Sequence, residues 1–166
     1  MKLFELRKEL KNEFTSLGIE IEDVDFIISE IFGVKRTDLI FIDEITDQQE
    51  IEIREKCEMR KNNIPVDKIF QKAYFFGLEF VVNENVLSPR PESELIVERA
   101  LHYIKENNYK TCLDLCTGSG CLAIATKINV DIEMTATDIS QKALSVAKQN
   151  AKKFNAEIKF IRSNMF

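Results

Sequence analysis

The residues able to do chemistry are concentrated in one run, Leu113-Asp114-Leu115-Cys116-Thr117-Gly118-Ser119-Gly120, and in one later aspartate, Asp138. The run reads as the exit of a buried strand into a helix, which is where ligands bind in open α/β sheets. Gly118 and Gly120 let the backbone turn tightly and let a ligand approach with no Cβ in the way. A helix beginning near Gly120 offers unpaired N–H groups and the positive end of its dipole. Asp138 closes the next expected strand. A carboxylate there can accept hydrogen bonds from the vicinal hydroxyls of a ribose, and the adjacent Ile139 can pack on an adenine face. Together these residues describe a nucleoside-type cofactor in a strand-to-helix crevice.

Two classes of cofactor fit that description. Gly118-x-Gly120-x-x-Ala123 satisfies the loose dinucleotide fingerprint, which keeps an NAD-dependent dehydrogenase as an alternative. Asp114 argues the other way. An acid at the exit of the strand suits the ammonium of an amino-acid moiety better than a pyrophosphate, and Thr-Gly-Ser-Gly after Asp-Leu-Cys is also a methyltransferase pattern. The expected cofactor is S-adenosyl-L-methionine, with S-adenosyl-L-homocysteine as product. Taken singly, Asp114 could be a solvated strand-end acid and Asp138 a helix cap competing with Ser140, but neither reading explains their joint spacing.

The elements that must position these residues fall into two patterns. Over residues 3–63 the pattern is helical. Leu3, Leu6, Leu10, Phe14 and Leu17 share one face at spacings of three and four, and Gly18 ends that run. A second helix is expected from Asp23 as N-cap to Gly33, with Val24, Ile27, Ile28 and Ile31 inward. Thr37 and Asp38 open a short third helix through Ile42. Thr46-x-x-Gln49 reads as a capping box for a fourth, through Ile53, Cys57, Arg60 and Lys61. The acidic stretch over residues 43–52 is expected to be a solvated face. After Pro65 the pattern changes. Residues 74–82 are aromatic and β-branched, Asn83-Glu84-Asn85 is a turn signal, and Val86-Leu87 follows, which predicts a β-hairpin. Pro89-Arg90-Pro91 stops the strand, and a helix opens at Glu92. From Thr111 the reading is β-α-β-α-β, hence a parallel sheet with right-handed crossovers.

Composition narrows the partners. Net charge is −5, and the Lys and Arg are scattered, so no basic stripe suggests direct nucleic-acid binding. No run approaches the roughly 20 apolar residues of a membrane span, and the charged first residues do not resemble a signal peptide, so a cytoplasmic protein is expected. Cys57, Cys112, Cys116 and Cys121 form no CxxC pair and His102 stands alone, which leaves no expected metal site and casts the cysteines as small apolar fillers.

At this level the sequence resembles the HemK/PrmC-type release factor glutamine methyltransferases along the whole chain. The resemblance is carried by Phe76-Gly77-Leu78-Glu79-Phe80, by Val86-Leu87-Ser88-Pro89-Arg90-Pro91-Glu92-Ser93-Glu94, by the Asp114 to Gly120 run, by Ala136-Thr137-Asp138-Ile139-Ser140, and by Asn150-Ala151. It implies an α/β chain with a helical N-terminal domain over residues 1–73 for substrate recognition and a hairpin linker over 74–90. A partial Rossmann-like methyltransferase domain would follow over 91–166. The implied reaction is methyl transfer from S-adenosylmethionine to the side-chain amide of the Gly-Gly-Gln glutamine in peptide chain release factors, which would be the protein partner.

The resemblance also implies roles for residues. Asp114, Cys116, Thr117, Gly118, Ser119 and Gly120 would hold the methionine portion and Asp138 the ribose, with Ile139, Asn164 and Met165 beside the adenine. Pro89, Arg90, Pro91, Glu92 and Glu94 would shape the pocket. The sequence departs from the family at three places. Cys116 replaces a usual glycine, so the loop is expected to avoid a positive φ there. Asn164 replaces a usual aspartate. The Asn-Pro-Pro-Tyr motif that orients the amide in the family is absent from these residues, so no catalytic residue is assigned, and cofactor binding without efficient transfer is expected. The strand ending at Leu115 should then be a sheet edge. A non-catalytic module that docks a release factor, and a methyltransferase acting on nucleic-acid amino groups, are the alternatives.

Overall fold

The computed structural model describes residues 2–165 and divides the chain into two units, residues 1–70 and 71–166. The outermost bounds of the expected domains, Met1 and Phe166, lie outside the described residues.

The first unit is helical. Helix α1 (Leu3–Ser16) buries Leu3, Leu6, Leu10 and Phe14 of the expected row, whereas Leu17, at the C-cap beyond the last helical turn, is 58% exposed. Helix α2 (Glu22–Phe32) ends at Gly33, whose φ of 64° gives the left-handed cap that glycine adopts without strain. Its start differs from expectation. Ile21 occupies the cap position with no side-chain bond, and the Asp23 carboxylate instead accepts from Arg60 Nε at 2.7 Å. A long-range charge-assisted bond has taken the side chain that local capping would have used. The expected third helix is a 3₁₀ segment, Arg36–Phe41. Helix α3 (Asp47–Lys61) opens on the full capping box, with Gln49 N–H donating to Thr46 Oγ1 at 3.2 Å and Thr46 N–H to Gln49 Oε1 at 2.9 Å. One short helix, α4 (Val66–Phe70), follows Pro65 where sequence patterning showed only a change of pattern. The core joins α1 and α2 to Leu39, Ile45, Ile53 and Cys57. Burial pushes the Cys57 thiol up to about 12, so it stays protonated as an apolar filler.

The second unit begins with the hairpin β1 (Lys72–Phe75) and β2 (Leu78–Val81). Its turn is Phe76-Gly77, not Asn83–Asn85. Both turn residues have positive φ, 51° and 72°, matching the twist of a tight two-residue hairpin. Asn83 instead caps a local bend by accepting from Asn85 N–H at 2.9 Å. Pro91–Ser93 forms a 3₁₀ turn, and helix α5 (Glu94–Asn107) starts two residues later than expected. There follow β3 (Thr111–Leu115), α6 (Cys121–Asn129), β4 (Glu133–Asp138), α7 (Gln141–Lys153) and β5 (Ile158–Arg162). The three strands are parallel in the order β3-β4-β5, so β3 is an edge.

Alternation along the strands decides which face is covered. Cys112, Met134, Ala136, Ile158 and Phe160 point to one face, where they pack with Ile104 of α5, Ala123 and Ile124 of α6, and Ala151 of α7. The opposite face carries Leu113, Leu115 and Ile161, which are 55%, 41% and 39% exposed, and Leu113 and Ile161 border a shallow concavity of about 550 Å³. Parallel sheets are ordinarily covered on both faces, so this apolar face departs from the rule. Among the described residues no helix is long and apolar enough to cross a membrane. For the isolated chain, Leu113→Lys is expected to reduce self-association in analytical ultracentrifugation. Because Leu113 is exposed, stability should move by no more than about 0.5 kcal/mol. Unchanged association would show that this face is not adhesive.

Candidate cofactor-binding site

The site is built where β3 and β4 end. Parallel pairing sets Leu115 opposite Thr137, and Thr117 N–H donates to Thr137 O at 2.8 Å, turning the chain back across the end of β4. Asp138 completes the join. Its Oδ2 accepts from Gly118 N–H at 3.0 Å and its Oδ1 from Ser140 N–H at 2.9 Å. The carboxylate is thus held by two backbone donors, and each oxygen keeps acceptor capacity for a further donor. Capping is done by a separate residue, since Ser140 Oγ accepts from Ala143 N–H at 3.2 Å and opens α7.

Asp114 lies on the covered face, half-buried, with Oδ2 accepting from the Thr117 hydroxyl at 2.6 Å. Burial pushes its carboxyl above the usual aspartate range, opposed by the Thr117 hydroxyl and the Ala123 backbone and reinforced by the negative Asp138 nearby. An acid held this way is stabilised by a cation that lodges beside it.

The glycines play different parts. Gly120 has a φ of 82°, and a Cβ there would sit 3.1 Å from both the Ala147 Cβ and the Ile124 Cδ1, so it allows α6 and α7 to close on the loop. At Gly118, with φ of 56°, a Cβ would meet nothing within 4 Å; the backbone there faces open space.

Cys116 overturns an expectation. Its φ is 60°, in the left-handed region that the sequence reading required it to avoid. The reversal that brings Thr117 N–H to Thr137 O imposes this conformation whether or not the residue is glycine. Cys116 is also exposed, unlike the buried Cys57 and Cys121 and the half-buried Cys112, and so is no filler.

A cavity of about 140 Å³ joins Cys116, Thr117, Gly118, Ser119, Cys121 and Leu122 to the connecting segment at Leu87, Ser88, Pro89, Arg90 and Ser93. Pro89 and Arg90 therefore lie with the loop, whereas Pro91, Glu92 and Glu94 do not line this cavity. Glu94 holds the hairpin turn instead, its Oε1 accepting from Phe76 N–H at 2.7 Å. Ile139, 59% exposed, flanks Asp138. The segment after β5 is brought beside them by Ser163 N–H donating to Asp138 O at 3.1 Å and Arg162 Nε to Ile139 O at 3.1 Å, which sets Asn164 and Met165 near the end of β4. Sequence reasoning gave no role to Leu87, Ser88 or Leu122, nor to the Thr117–Asp114 bond. The one available signal for that bond was a hydroxyl three residues after a strand-end acid.

The methyltransferase small domain family matches residues 92–166. A release factor glutamine methyltransferase of Mycoplasma mycoides is 36% identical over 92% of this chain and 55% of its own length. Others from Clostridium acetobutylicum and Streptococcus pneumoniae are 37% and 36% identical, over 95% and 100% of this chain and 54% and 61% of theirs. The chain is similar to these enzymes over most of its length. It spans between about half and three-fifths of the length of these relatives. Among solved structures, a Pyrococcus abyssi tRNA (uracil-54, C5)-methyltransferase, in complex with S-adenosyl-L-homocysteine, matches 56% of this chain and 23% of its own at a TM-score of 0.47 and 15% identity.

Two substitutions test the strain and the charge. Relief of the left-handed cost, about 1–2 kcal/mol, less the added freedom of glycine in the unfolded chain, about 0.4–1 kcal/mol, predicts that Cys116→Gly stabilises the chain in denaturant unfolding. A loss of stability would mean the thiol makes a compensating contact. For Asp114, the raised folded pKa means the native state holds this proton more tightly than the unfolded chain. Its ionisation therefore costs stability as pH rises through the folded pKa, and the cost is absent where both states are protonated. Asp114→Asn should raise the thermal midpoint at neutral pH, and the gain should vanish below the ordinary aspartate pKa of about 3.9. A gain that persists unchanged in acid would refute the electrostatic origin.

Proposed function

We propose that this chain is the cofactor-holding part of an S-adenosylmethionine-dependent methyltransferase that acts on the glutamine amide of the Gly-Gly-Gln segment of peptide chain release factors. The observation that carries the reading is the identity of 36–37% to release factor glutamine methyltransferases along nearly the whole chain.

The donor set fits this cofactor. Asp138, preorganised by the Gly118 and Ser140 amides, would accept from the ribose hydroxyls, and Asp114 would face the ammonium of the methionine portion. The open space above Gly118 admits a ligand against the backbone. Ile139, Asn164 and Met165 would border the base, while Pro89 and Arg90 would close the loop's cavity. When bound, the cofactor supplies an electrophilic methyl on a sulfonium. The residues of this chain bind and orient it. The rate advantage of such a transfer comes chiefly from alignment of the methyl with the amide nitrogen, a poor nucleophile whose lone pair is delocalised into the carbonyl. Release factor is the proposed protein partner, the helical unit the proposed contributor to its recognition, and the cytoplasm the proposed compartment.

Isothermal titration with S-adenosylhomocysteine, using NAD as control, tests the reading. Saturable binding of the former alone, weakened at least tenfold by Asp138→Ala, is expected. NAD binding would transfer the site to the dehydrogenase class, and binding of neither would remove the cofactor assignment.

A further inference from the structure

Helix α7 buries Ala143, Leu144, Val146, Ala147, Asn150 and Ala151, and Asn150 is the only amide among them, with 0% exposure. Its side chain is bonded at both ends. Oδ1 accepts from Val81 N–H at 2.8 Å, while Nδ2 donates to Val81 O at 2.9 Å and to Ser119 O at 2.9 Å. The first two bonds imitate the pairing of a further strand against β2. The third fixes the carbonyl just before Gly120, where an added Cβ would crowd Ala147 at 3.1 Å. One turn along, Lys153 donates to Glu79 O at 2.7 Å and pairs with Glu79 Oε1 at 2.8 Å. Among the described residues helix α7 therefore has two hydrogen-bonding tethers to the hairpin, Asn150 and Lys153, and of these the Asn150 tether reaches the glycine loop.

We infer that Asn150 is a positioning residue that sets the Ser119–Gly120 peptide and joins the order of the cofactor loop to that of the hairpin. The inference rests on the cofactor reading above for its consequence in binding, but its geometry is independent of that reading. A buried amide serving three backbone groups is costly to leave half-satisfied, so the loop and the hairpin hold their places together. Order gained at the loop on ligand binding is then transmitted to Val81, a residue with no place in the pocket. The hairpin also receives Glu94 at its turn, so the segment that lines the cavity is tied to the same element.

The experiment compares Asn150→Ala with Lys153→Ala, which cuts the other tether and leaves the loop alone. In the ligand-free chain, Asn150→Ala should accelerate hydrogen exchange at the Gly120 and Val81 amides at least tenfold with little change at Ile124 or Leu144. Lys153→Ala should leave Gly120 unchanged. Affinity for S-adenosylhomocysteine should fall about tenfold in Asn150→Ala and stay constant in Lys153→Ala. In the wild type, titration with that ligand should shift the Asn150 side-chain NH₂ and the Val81 amide resonances, a readout that requires no variant to fold. Uniform acceleration of exchange, equal losses in both variants, or unmoved Asn150 and Val81 resonances at saturation would overturn the inference. If the wild type binds no S-adenosylhomocysteine, the proposed cofactor fails, and the ligand-free exchange alone decides whether Asn150 positions the loop.

Discussion

The two backbone bonds accepted by Asp138 join parts of the chain that are distant in sequence. The Gly118 amide comes from the loop after β3 and the Ser140 amide from the start of α7, and both converge on one carboxylate at the end of β4. A parallel sheet makes this possible, because adjacent strands finish side by side and send their loops out at the same edge. Without that convergence, Asp114 and the glycine loop would share a sequence motif but no common site. With it, one carboxylate is held ready by fixed dipoles and another is kept in surroundings that raise its proton affinity. Two similar side chains thereby acquire different chemistry from their positions alone.

Much of this was legible beforehand where local rules and tertiary packing agree. Leu3, Leu6, Leu10 and Phe14 are buried as their spacing requires, the Thr46–Gln49 box forms, and β3 runs from Thr111 to Leu115 as read. The failures share a cause. Asp23 had the right type to cap α2, but Arg60, distant in sequence, took its carboxylate. Asn83-Glu84-Asn85 had the stronger turn composition, yet the hairpin turns at Phe76-Gly77, where pairing of Phe75 with Leu78 sets the register. Local propensity names a residue that is able to act, and long-range partners decide whether it does.

Within the site the same limit applies. The acids and glycines stood out by type and spacing, and the structure brings Asp138 onto the Gly118 amide. The conformation at Cys116 could not, since it follows from a turn back toward Thr137 that exists only once the strands are paired. Nor could Asn150 be read as a tether, because an asparagine on an apolar helix face does not announce which backbone groups, 69 and 31 residues away, it will satisfy.

The division into a helical unit and a parallel sheet also has a temporal side. The core of residues 1–70 is assembled from helices near one another in sequence, whereas the sheet needs each strand to wait for a crossover helix before its neighbour exists. Local contacts form quickly and non-local pairing slowly, and a chain emerging from the ribosome at about 5–20 residues per second presents its N-terminal part first. The helical unit can therefore close its core before the sheet is paired, so that the apolar strands of the second unit need not compete with it for partners.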